Sequence, residues 1–316
     1  MLKINNSVLK INGDWLNAAQ PPAPALPPYT LRLKFKDGVT PTFAKGTGVL
    51  VDSTNNIWDL TYEDSNWIDL LYNQTNLVSV IAANSTGVGS MEEMFSGCSW
   101  LSDVALFDTS AVVSMKYMFR DCGSLSYVPL FDTSNVRNMH GIFDYCTSLS
   151  NVPLFDTTNV TNMSYMFSNC RNLTSVPLFD TTNVTNMRSM FGECHVLSSI
   201  PLFNTHNVTD MQSMFYECNS LTTIPLINTT NVTNMKSMFI YCGNLTAVPL
   251  LNTSKVTNMD TMFYECNNVQ SGALALYQQA STQANPPLLH NSTFYNCGSN
   301  TQSGAAELAQ IPSDWK

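Results

Sequence analysis

The sequence predicts an α/β solenoid of leucine-rich-repeat type. Each 24-residue repeat is expected to form a right-handed coil of one short parallel strand and one short helix, preceded by a small β-rich N-terminal module. Three observations predict it. Eight of the nine cysteines fall at 98, 122, 146, 170, 194, 218, 242 and 266, every interval being 24 residues. Apart from Met1, every methionine lies in the same frame: one column runs from Met91 to Met259, a second from Met94 to Met262, with Ile142 filling one place. Phenylalanine fills a third column from Phe95 to Phe263 in all eight copies. A fixed period of this length means units that bury their apolar faces only against their neighbours.

Within a unit, Val160, Met163, Met166, Phe167 and Cys170 are spaced 3, 3, 1 and 3, the stripe of a short helix. Leu173, Val176 and Leu178 follow the L-x-x-L-x-L strand pattern, which turns the Leu178 column inward. Pro177 cannot donate to a ladder, so the strand must be short. The Asp156-Thr157-Thr158-Asn159 run supplies turn and helix-capping chemistry.

The frame reaches beyond the regular coils, 91–266. Trp67, Leu70, Leu71, Leu77, Val80 and Val88 stand 24 residues before Met91, Met94, Phe95, Leu101, Val104 and Val112, marking a degenerate first coil over 67–90. TFYNC at 293–297 echoes MFYEC at 262–266, so 267–297 reads as an irregular last coil holding a helix over 273–281. A second helix over 304–311 falls in a C-terminal cap, 298–316. Upstream, Leu31, Leu33 and Phe35 alternate with Arg32, Lys34 and Lys36 before Asp37-Gly38, and 29–66 reads as the β-rich module. PPAPALPP at 21–28 is a semi-rigid extended linker. Residues 1–20, with Leu2, Ile4, Val8 and Ile11 among polar residues, form short strands or a hairpin. That segment is either an assembly anchor or a disordered tail.

The unit DTSNVxNMxxMFxxCxSLxxVPLF, as it stands at 132–155 and in neighbouring coils, resembles the BspA-type leucine-rich repeat of bacterial surface proteins. The likeness covers about 67–297. It implies cell-surface binding or adhesion without enzymatic activity. Proteins of that family are normally exported by a signal peptide, and MLKINNSVLKINGDWLN has no apolar h-region.

Composition narrows the function classes. Fourteen Lys+Arg against 23 Asp+Glu give a net charge of −9, which removes the electrostatic basis for binding nucleic acid. The sequence has no basic cluster for anionic membranes and no run of 18 apolar residues to insert into one. Four scattered histidines, no H-E-x-x-H, no G-x-S-x-G and no glycine-rich phosphate loop give catalysis no support. One cysteine per coil without C-x-x-C reads as a column of small buried apolar groups in a protein made in a reducing cytoplasm. Asp108, Asp132, Asp156 and Asp180 could stack as calcium ligands, but Asn204, Asn228 and Asn252 continue the column, which favours a turn role. No cofactor is expected.

Surface residues remain. Tyr117, Arg120, Tyr145, Tyr165, Arg188, Tyr216, Tyr241 and Tyr264 sit between the core columns and are of the types that interfaces favour, marking a candidate partner-binding surface. The Phe107 to Phe203 column, continued by Ile227 and Leu251, is either a second core layer or an exposed hydrophobic ladder. Two non-enzymatic functions compete. One is a phage virion fibre or decoration protein, joined to other virion subunits through its N-terminus and presenting an adhesive solenoid. The alternative is a bacterial cell-surface adhesin for host protein or glycan. Self-association into a homo-oligomer is compatible with both.

Overall fold

The computed structural model describes residues 9–11, 14–16 and 25–316. Strands β1 (Leu9–Ile11) and β2 (Asp14–Leu16) pair antiparallel, Leu9 opposite Leu16. Of the proposed anchor residues, Ile11 lies in β1, whereas Leu2, Ile4 and Val8 lie outside the described residues, as do 21–24 of the proline segment.

A second sheet has the order β4-β5-β3-β6-β7, from β3 (Thr30–Phe35), β4 (Thr47–Asp52), β5 (Ile57–Thr61), β6 (Leu77–Asn84) and β7 (Asp103–Val104). Strand β3 alternates as its sequence demands. Leu31, Leu33 and Phe35 are fully buried, while Arg32 makes a bidentate pair with Asp59 across the sheet, 2.8 Å on each arm. Strand β6 belongs to the first coil, and β7, parallel to it, to the second. Antiparallel β3 therefore covers the exposed edge of the first coil, which would otherwise present unpaired amides and carbonyls. The β-rich segment shares one sheet and one core with the coils.

The regular coils contain no α-helix, which corrects the helix expected in each repeat. Met91, Glu93, Phe95 and Gly97 donate their amides to the carbonyls of Ser114, Lys116, Met118 and Arg120 in the next coil, at 2.8–3.1 Å. The intervening Met94, Ser96 and Cys98 donate to residues three back, at 3.0–3.4 Å. Every second amide is thus committed between coils and is lost to an intrahelical bond. The path is a chain of tight turns with two left-handed residues per coil, as at Tyr165 (φ 58°) and Asn169 (φ 59°). The expected helical spacing still turns Met163, Met166, Phe167 and Cys170 inward, and all four are fully buried. Isolated parallel bridges join successive coils from Asn66↔Ser90 to Asn234↔Asn258.

The expected strand is reduced for a related reason. In the first regular coil Ala105 donates its amide to the Val80 carbonyl at 2.8 Å, and β7 forms there. Pro129, Pro153, Pro177, Pro201, Pro225 and Pro249 occupy the same place in later coils and have no N–H, so no continuous ladder forms. The side-chain phase also differs from expectation. Val176 and Phe179 point inward, and Leu178 points outward. The Phe107 to Phe203 column, with Ile227 and Leu251, is a second core layer. Phe179 stacks 6.2 Å from Phe167 and so takes the inward place assigned to Leu178.

The inner stack runs unbroken from Phe95 to Phe294, nine rings with centroids 5.0–5.9 Å apart and planes within 14°. Each cysteine thiol beside it is buried, and those from Cys98 to Cys266 donate to a carbonyl of the preceding coil, as Cys170 Sγ does to Phe143 O at 3.1 Å. Asp156 Oδ1 accepts from the amide and hydroxyl of Thr158 at 3.0 and 2.6 Å, and Asn228 takes the Thr230 amide in the same way. This Asp/Asn column therefore closes turns. At the far end α1 (Ala273–Thr282) and α2 (Gln302–Ala309) supply the two helices expected there. Trp315 stacks on His290 at 4.2 Å and lies against Phe294, covering the last coil.

Candidate binding surfaces

The left-handed turns build one surface. Between the two left-handed columns stands an outward column holding Arg120, Asp144, Ser168, Gly192 and Tyr216, one residue per coil. Ser168 and Gly192 are small, so a cleft of about 320 Å³ opens over them, closed at its ends by Asp144 and Tyr216. Tyr165, Ser189 and Ser213 form one wall; Tyr145, Asn169 and Glu193 form the other. The cleft bears the carboxylates of Asp144 and Glu193 and is lined by no cation.

Asp144 is only 7% exposed, and its Oδ1 is buried with no hydrogen-bond partner. Arg120 Nε approaches the other oxygen, Oδ2, from outside the cleft at 3.6 Å. Burial pushes the Asp144 carboxyl up to about 6. Glu193 is held by Arg171 at 2.9 Å. Hydrogen bonding to Glu217, then burial, pushes the Tyr216 hydroxyl up to about 12. Glu193, His195 and Glu217 bring three ligand-type atoms within 4.8 Å of one another.

All eight residues singled out from the sequence lie on this turn surface, but the structure groups them unevenly. Tyr145, Tyr165 and Tyr216 line the cleft. Arg188 Nε donates to the Tyr165 hydroxyl at 3.0 Å. Tyr117 pairs its hydroxyl with His140 Nε2 at 2.7 Å and lies 5.2 Å from the Arg120 guanidinium. Burial, then the Lys116 charge, lowers the His140 pKa. Tyr241 and Tyr264 continue away from the cleft in an edge-to-face pair, and Tyr264 stacks on Tyr295 at 4.7 Å. Asp144 and Glu193 were not among the expected residues.

A second surface was also missed. Leu106, Leu130, Leu154, Leu178, Leu202, Leu226 and Leu250 form an outward ladder, one per coil, each 55–71% exposed. The outward places before it hold Ser, Thr, Pro, Ala, Asn and Tyr, and one charge, Asp103; the outward place after it holds Asp108, Asp132, Asp156 and Asp180, then Asn204, Asn228 and Asn252. The leucine is constant in all seven coils, as the core columns are, so periodicity alone gave no sign that it is exposed.

A family model described as "Mycoplasma protein of unknown function, DUF285" matches residues 68–176, 145–245, 172–275 and 222–296, spanning every regular coil. The chain belongs to the DUF285 family. Among solved structures, this DUF285 protein is similar to a leucine-rich repeat protein of T. pallidum, at 20% identity and TM-score 0.41, covering 56% of this chain and 80% of that one. It is similar to a leucine-rich cell surface protein of Faecalibacterium prausnitzii at 18% and 0.38, covering 78% and 79%. For a leucine-rich repeat protein of Eubacterium ventriosum the values are 12% and 0.36, covering 87% and 99%. At these TM-scores the likenesses carry no argument on function. No curated protein matches the chain. Among the described residues, no helix is long and apolar enough to cross a membrane.

Proposed function

We propose that this DUF285 protein is a non-enzymatic recognition protein of a bacterial cell surface, and that a partner protein covers its leucine ladder. The observation that carries the reading is the ladder itself. Seven leucines, each more than half exposed, stack at a pitch of ~4.8 Å, with mostly uncharged residues on one side and the Asp/Asn turn column on the other. Together they present several hundred Å² of apolar surface, a size that marks interaction sites on soluble proteins. Tyr117, Arg120, Tyr145, Tyr165, Arg188, Tyr216, Tyr241 and Tyr264 form a second contact surface in this proposal, and residues 1–20 an attachment segment.

The family description names a cellular organism, and the repeat resembles that of BspA-type surface proteins, so we favour the surface reading over a virion component. Site-specific photo-crosslinking in intact producing cells tests it. A benzophenone side chain at Leu178 is expected to give a discrete protein adduct, and one at Glu92, on another face, is not. Adducts of equal yield from both positions, or none from Leu178, would overturn the reading.

A further inference from the structure

We propose that the cleft over Ser168 and Gly192 is a binding site for a primary alkylammonium group, with Asp144 Oδ1 accepting its N–H. This does not rest on the leucine ladder, which lies in a different column of the repeat. Four observations converge on it. The Asp144 carboxylate is more than nine-tenths buried, lines the cleft, and keeps Oδ1 without a partner although the Ser168 hydroxyl hydrogen-bonds to the group and lowers its pKa. A buried acceptor left unmatched is unfavourable until a ligand supplies the donor. Glu193 adds a second carboxylate, and the lining offers no positive side chain to neutralise either from within. Arg120 reaches only Oδ2, and Arg171 holds Glu193 at Oε2. The lining carries three tyrosine rings, Tyr145 and Tyr165 on the walls and Tyr216 at one end, and aromatic rings attract cations and pack alkyl stems.

The size agrees. A cleft of about 320 Å³ accepts a single unbranched side chain such as that of lysine and leaves little room for a folded peptide. Two sources offer the same chemistry: a lysine side chain of a partner protein, or a free alkyl amine. The floor explains why the site stands at these coils. In the same column Arg120 and Tyr216 are large and Ser96 stands beside Arg120, whereas Ser168 and Gly192 are small residues in adjacent coils and leave the depth unfilled.

Ligand-observed NMR titration of the full chain tests the proposal with four probes: Nα-acetyl-lysine methylamide, cadaverine, choline, and the uncharged Nα-acetyl-norleucine methylamide. The lysine amide is expected to bind saturably with a Kd on the order of 1 mM, as its roughly fourteen non-hydrogen atoms allow. Cadaverine at equal or higher affinity assigns the site to free amines; weaker cadaverine binding assigns it to protein lysines. Choline, which has no N–H, and the norleucine amide are expected to bind at least tenfold more weakly. Asp144→Asn removes the charge at constant shape and is expected to weaken the lysine amide at least tenfold. Gly192→Met blocks the cleft while touching no carboxylate. A Cβ there meets Ser189 O at 3.6 Å and Ser213 O at 3.7 Å, ordinary contacts, so the larger side chain grows into the opening. Failure of the lysine amide to saturate, equal binding of the norleucine amide or choline, or unchanged affinity in both variants would overturn the proposal.

Discussion

Replacing Asp144 by asparagine should stabilise the protein at neutral pH and leave it nearly unchanged in acid. The carboxyl is shifted from its ordinary 3.8 to about 6, chiefly by burial; Asp121 and Glu193 also raise it, while Ser168 and Arg120 lower it. The folded state therefore keeps this proton to a higher pH than the unfolded chain does. Between pH 4 and 6 the folded state binds more protons, so stability falls as pH rises through that window, and the loss is complete above 6. At about 1.4 kcal/mol per pH unit the ceiling is roughly 3 kcal/mol, and relaxation around the site brings the expected gain for Asp144→Asn to about 1–3 kcal/mol at pH 7.5. Thermal melts followed by circular dichroism at pH 4.0 and 7.5 measure it, as a rise of a few degrees at the higher pH only. A parent more stable than the variant at pH 7.5, or a difference independent of pH, would refute the reasoning. The carboxylate would then be well solvated or held by its neighbours, and the cleft would carry no unmet acceptor.

Three further outcomes are expected. Phe167→Ala removes a fully buried ring that stacks on Phe143, Phe179 and Phe191, and should destabilise by about 3–5 kcal/mol in urea denaturation; a midpoint equal to the parent's would mean the stack is not core. All nine cysteines are free and buried, and burial pushes Cys98 and Cys242 up to about 12, so iodoacetamide should modify none in the native protein and nine after unreduced denaturation, as counted by mass spectrometry. Asp156→Asn should change stability by under about 0.5 kcal/mol, because asparagine accepts the Thr158 amide equally well, whereas Asp156→Ala should cost about 1 kcal/mol; equal effects in melting experiments would assign the column another role.

Much of this architecture was legible in the sequence because stacking copies each inward residue at a fixed interval. Met163, Phe167 and Cys170 could be assigned to the core without knowing the path of the backbone between them. The path itself was not legible. Spacings of 3, 3, 1 and 3 suit a helix and a chain of tight turns alike, and what separates them is φ at Tyr165 and Asn169. A weak signal existed in Gly97, Gly141 and Asn169, residues that accept left-handed geometry, at the same two places of different coils. Leu178 misled because Val176 can be followed inward at either the second or the third residue, and only the ring stacked on Phe167 selects Phe179. Asp144 escaped notice for the opposite reason to the core. It occurs in one coil only, and periodicity is blind to a residue that appears once.

The hydrogen bonds of the turn surface also give the solenoid an electrical polarity. Amides such as those of Met91, Glu93, Phe95 and Gly97 point toward later coils, and the carbonyls they meet point back. Four peptide units per coil, each with a dipole of about 3.5 D, are therefore aligned along the axis, and the opposed bonds from Ser102, Ala105 and Val113 to Val78, Val80 and Gly89 offset them only in part. The negative pole lies at the first coil, the reverse of an α-helix, whose N-terminal end is positive. The two ends are finished accordingly. Lys45 donates to the Ile68 carbonyl at 2.9 Å and pairs with Asp69 at the negative pole, while the Trp315 carbonyl accepts the Phe294 amide at the positive one. A domain grafted onto either end of this stack would meet an oriented field, and its contact surface must suit the sign of that pole.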